Sequence, residues 1–145
     1  MNRLSLPFRF GLVICGLLIA YFLVLSLFDK HISPVYSLFN SIITGFGLYE
    51  VIKIFKLKQD SAFNYIDGFK ISLITGTIAT IGFTVFFAFY ATEFNPSFYD
   101  TLLQELNVDM SPGLLIFAVA MLGMATTLIA TLTLMQLFKP SNNLS

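Results

Sequence analysis

The chain has 145 residues, 57% of them hydrophobic and 11% charged, with eight basic side chains balancing eight acidic ones. Water-soluble domains carry about 25% charged residues, so this composition leaves too little polar surface for an ordinary soluble domain. The single cysteine, Cys15, excludes an intramolecular disulfide.

In chain order, the first feature is the charge-free run Phe10 to Phe28, preceded by Arg3 and Arg9. Its nineteen residues exceed a usual signal-peptide core, and no small-x-small cleavage site follows. Bulky Ile14 argues against Cys15 as a lipoprotein cysteine, which reads instead as a small apolar core residue. The run predicts a retained membrane span over 8–28. Asp29-Lys30-His31 then forms a short turn. A metal site there needs convergent ligands and the chain has one histidine, so the turn reads as solvated.

A second span is expected over 34–54, opened by Ser33-Pro34, and a third over 69–92. Within the third, Ile71 to Thr92 runs for twenty-two residues without a charge, and Ser72, Gly76, Thr80, Thr84 and Ala88 recur every fourth position. On a helix these small residues share one face. Lipid tails are as apolar as leucine, so membrane helices hold together by close approach and dispersion, which small seams permit. Span two repeats the pattern with Ser37, Ser41 and Gly45, span four with Gly123, Thr127 and Thr131, and span one with Gly16 and Ala20. Such faces pack helices, or their hydroxyls line a polar path. Packing is favoured because ion and proton paths ordinarily carry ionisable groups. Arg9 and Glu50 fall at similar depth on adjacent helices, which predicts an interhelical ion pair between them.

Between spans two and three, Phe55 to Phe69 mixes lysines with Phe63, Tyr65 and Ile66 and reads as a loop resting on anionic lipid. It holds neither a phosphate-cradling glycine loop nor paired carboxylates at catalytic spacing, and its lysines make no nucleic-acid footprint. After span three, Asn95-Pro96 opens a short amphipathic surface helix over 96–106, with Phe98, Leu102 and Leu106 as its apolar stripe. It reads as a lid on the bundle or as an acidic face for a partner. Ser111-Pro112 opens the fourth span, 112–138, about 40 Å long at the standard helical rise. Lys139-Pro140 closes it before a polar tail.

Cation placement sets the orientation. Arg3, Arg9, Lys53, Lys56, Lys58, Lys70 and Lys139 gather on one side and Lys30 on the other. The positive-inside rule then puts both termini and the middle loop in the cytoplasm.

Gly68-Phe69-Lys70 leading into span three, Phe94-Asn95-Pro96-Ser97-Phe98 after it, and Met110-Ser111-Pro112-Gly113 opening span four together resemble a bacterial family. Its members are small four-span inner-membrane proteins known as a domain of unknown function. The resemblance implies four spans in a bacterial cytoplasmic membrane and brings no activity, substrate or catalytic residue.

The sequence therefore predicts an all-α, integral membrane four-helix bundle, residues 1–145 as one domain, with no cofactor, metal or catalytic residue assigned. The expected function is that of a non-enzymatic accessory, assembly or self-associating subunit acting through helix–helix contacts. Its partners are the lipid bilayer and a second copy or another membrane protein, not nucleic acid. The alternative is a transporter or channel subunit with a threonine-lined path between spans three and four.

Overall fold

The computed structural model describes residues 5–138, apart from the side chains of Pro34 and Ser37, so Arg3, Lys139-Pro140 and the tail lie outside the described residues. Five α-helices follow in order: α1 (Ser5–Leu27), α2 (Pro34–Gln59), α3 (Tyr65–Phe89), α4 (Pro96–Leu106) and α5 (Pro112–Phe138). A short 3-10 turn, Asp60–Ala62, joins α2 to α3, and a π-helical turn, Tyr90–Phe94, extends α3. Among the described residues, the helices α1, α2, α3 and α5 are long and apolar enough to cross a membrane.

Local chemistry explains where these helices begin and stop. Asn64 caps α3: its side-chain oxygen accepts from the Asp67 N–H at 3.0 Å, and its amide nitrogen donates to the Asp67 carboxylate at 3.0 Å. The Ser111 hydroxyl accepts from the Leu114 N–H at 3.2 Å, satisfying an otherwise orphan donor of α5. Ser33 and Asn95 precede prolines but make no such side-chain cap, so at those two starts proline alone supplies the favourable first position. At the end of α1, Asp29 adopts φ 56°, with Lys30 N–H to Leu25 carbonyl at 2.9 Å and Asp29 N–H to Ser26 carbonyl at 3.3 Å. Asn107 does the same after α4 at φ 55°, with Val108 N–H to Leu103 carbonyl at 3.1 Å. Both closures are left-handed caps of the Schellman kind.

The stretch read as a loop, Phe55 to Phe69, is largely helical. The helix α2 continues to Gln59, carrying Lys56 and Lys58 in its last turn where they complement the helix dipole, and the Asn64 cap starts α3 at Tyr65.

Helix α3 touches each of the other three long helices and packs most extensively on α1 and α5. One core cluster, around Ile14, Leu48, Val51, Ile52 and Met135, binds all four helices at the end of the bundle that carries the α2–α3 connection, here the proximal end. The second, distal cluster centres on Phe22, Phe87, Ala91, Phe98 and Leu115. Outward faces are apolar as well: Leu122 is 68% exposed, Ile129 65% and Phe117 60%. Apolar exposure on this scale far exceeds what monomeric soluble proteins show.

Candidate functional site

The small-residue face of α3 meets that of α5 in antiparallel register. Ser72 Oγ lies 2.7 Å from Thr131 Oγ1, both fully buried. One turn on, a Cβ added at Gly76 would collide with the Thr127 side chain, and one at Gly123 would lie 2.6 Å from Thr80 Cγ2. Each step opposes a small residue to a larger hydroxyl-bearing one, which lets the two backbones approach. Helix α1 meets α3 by the same means: a Cβ added at Gly11 would collide with Ile78, and one added at Gly82 would lie 2.6 Å from the Cys15 sulfur.

The other predicted small residues are placed differently. Gly16 and Gly45 have no neighbouring atom within 4 Å of where a Cβ would stand, and Ala20 and Ser41 are exposed. Ala88 is half-buried, and the Ser37 side chain is outside the described residues. Among the described residues no salt bridge joins Arg9 to Glu50. The reason is rotational. Arg9 stands two residues from both buried Pro7 and buried Gly11, about 200° around α1 from each, and is exposed. Glu50 is half-buried on α2 beside the buried Val51.

Above the closed proximal core the distal halves of α1, α2, α3 and α5 enclose a cavity of about 450 Å³. Thr80, Thr84, Thr126 and Gly123 line one wall, and Asn40, Ser41 and Thr44 of α2 another. The apolar stripe of α4, Phe98, Leu102 and Leu106, lies along its distal end. Leu38 and Leu122, both on its lining, are 69% and 68% exposed, so the cavity opens sideways between α2 and α5. Towards the proximal end Leu48, Val51, Ile52 and Met135, each fully buried, seal it.

A ring cluster roofs this space. The Phe22 ring meets the edges of Tyr90 at 4.9 Å, His31 at 5.3 Å and Phe98 at 5.6 Å, all near perpendicular. His31 stacks on Phe98 at 4.7 Å and 14°. Such geometries suit aromatic quadrupoles. His31 is thus tucked under α4, not solvated as the turn Asp29-Lys30-His31 suggested. Burial lowers its pKa below the ordinary value, with Asp29 only partly opposing.

A short chain of hydrogen bonds links Asn95, Tyr90 and His31. The Asn95 amide donates to the Tyr90 oxygen at 3.4 Å, and that oxygen lies 3.2 Å from His31 Nε2. In a neutral imidazole one ring nitrogen donates and the other accepts, so Nδ1 takes whichever role Nε2 does not. That Nδ1, together with Asn40 Oδ1 and Thr84 Oγ1, is buried without a hydrogen-bond partner, and all three residues line the cavity. The sequence does carry a signal for Asn40, an amide within the charge-free stretch from His31 to Tyr49. Tyr21 of α1 donates to the Tyr36 carbonyl in the first turn of α2 at 2.8 Å.

Among the described residues, no three His, Cys, Asp or Glu side chains gather as they would to hold a metal ion. No family model, no curated protein and no solved structure matches this chain.

Proposed function

We propose that the chain is a multi-pass protein of a bacterial cytoplasmic membrane, termini in the cytosol, that works as an accessory, assembly or self-associating subunit through helix–helix contacts. One observation carries this reading. The small faces of α3 and α5 fill each other from the Ser72/Thr131 pair to the Thr80/Gly123 pair, whereas Gly16 with exposed Ala20 on α1, and Gly45 on α2, stand against open space. In a bilayer a small-x-x-x-small face without a neighbour is where another helix approaches most closely. The partner is a second copy of the chain or another membrane protein.

Mass photometry in mild detergent, paired with crosslinking in native membranes, tests it. The wild type is expected as an oligomer or complex, and Gly16→Leu and Gly45→Leu are expected to dissociate it while the monomer stays folded. A strictly monomeric wild type with no crosslinked partner would refute the proposal. A reporter fused after Ser145 is expected to report the cytosol.

A further inference from the structure

We infer that the distal cavity is a binding site for an uncharged single-chain amphiphile of the monoacylglycerol class, admitted sideways between α2 and α5. The inference rests on the membrane placement proposed above, though not on any association between subunits.

Volume sets the first limit. About 450 Å³ holds roughly fifteen groups the size of a water, whose share of liquid volume is about 30 Å³. A glycerol head and the first part of one chain fill it, and the rest of the chain lies outside the opening. Pockets of this size are ordinary for small ligands.

Charge sets the second. None of the residues lining the cavity is Asp, Glu, Lys or Arg. A phosphate or carboxylate brought inside would lose its hydration with no countercharge to replace it. The imidazole, neutral in this setting, does not serve as one.

The orphaned polar atoms set the third. Asn40 Oδ1 is an acceptor, Thr84 Oγ1 either donor or acceptor, and His31 Nδ1 one or the other according to its tautomer. Hydroxyls answer all three, since each both donates and accepts. A plain hydrocarbon answers none and leaves every one unmet. Asn40 lies six residues after Pro34 and Thr84 six before Tyr90, so Asn40 sits about 9 Å along α2 from its start and Thr84 about 9 Å along α3 from the Tyr90 level. His31 marks the distal level above them. A head with oxygens spread along its length is therefore held between the two levels, and the chain leaves past Leu38 and Leu122.

The test uses the full chain in phosphatidylcholine vesicles with a diazirine-bearing monoacylglycerol, photolysis and peptide mapping. Labelling is expected to saturate, to concentrate on α2 and α5 around Leu38, Ser41 and Leu122, and to be displaced by unlabelled monoacylglycerol. A fatty acid or an alkane of equal chain length should displace it poorly. Asn40→Leu with Thr84→Val is expected to weaken labelling about thirtyfold, the equivalent of two lost hydrogen bonds. The same double variant should melt no lower than the wild type without ligand, because two unmet polar groups are gone. Ala118→Phe, which fills the cavity, supplies a second route to loss of labelling. Labelling spread evenly over the outward faces, equal displacement by alkane, or an unaffected double variant would overturn the inference. Release of the chain from vesicles by alkaline carbonate would instead show that the membrane placement itself has failed.

Discussion

At Gly76 the hydrogen that stands for a side chain is what admits Thr127 of α5, and nothing larger fits without displacing it. Gly76→Ala is expected to cost about 1–3 kcal/mol, the usual range for overpacking. Adding Thr127→Ala should restore more than half of that, read by thermal unfolding in mild detergent. Gly16→Ala is the control: with open space around it, the change should leave the monomer as stable or raise it by up to about 1 kcal/mol through helix propensity. His31 supplies a pH dependence. Its folded pKa is lowered by burial, so as pH falls through its ordinary value of about 6.5 the unfolded chain takes up a proton more readily than the folded one. Stability is therefore full above about pH 7 and is lost progressively below, and His31→Phe should flatten that part of the curve. None of this could be read along the chain. Residue spacing marks a small face, but which larger side chain occupies it depends on the register of a helix some fifty residues away.

At the scale of elements, capping decides more than composition. Asn64 and Asp67 bond reciprocally at the start of α3, and this turned an expected loop into a helical connection. Asn64→Ala is expected to cost about 1 kcal/mol, measurable as a lowered unfolding midpoint. The reciprocal pair was legible in principle, since Asn64 and Asp67 have capping-box spacing, but the surrounding lysines and aromatics suggested a loop on lipid. The end of α4 depends on Asn107 in the left-handed region at φ 55°. Asn107→Val should destabilise it, and Asn107→Gly should be tolerated, because glycine has no Cβ to strain there. Helix α4 itself was visible from the four-residue recurrence of Phe98, Leu102 and Leu106. What those three residues face, a cavity with His31 at its roof, was not.

At the scale of the molecule, the four long helices close at one end and part at the other. The proximal end is filled by Ile14, Leu48, Val51, Ile52 and Met135. Distally, aromatic rings hold α1, α3 and α4 together while α2 leans on fewer partners, and the space between becomes the cavity. The apolar length of each long helix, the prolines at helix starts and the asymmetric placement of lysine and arginine are properties of the linear chain. Hydropathy and the helical repeat suffice to declare an all-α molecule with four helices fit to cross a bilayer. Tertiary structure alone decided that the α3 and α5 seams pack on each other, that Arg9 stands exposed on α1 without an ion pair to Glu50, and that His31, Asn40 and Thr84 share one enclosure. Those outcomes depend on the relative rotation and register of helices far apart in sequence, and a local pattern carries no information about either.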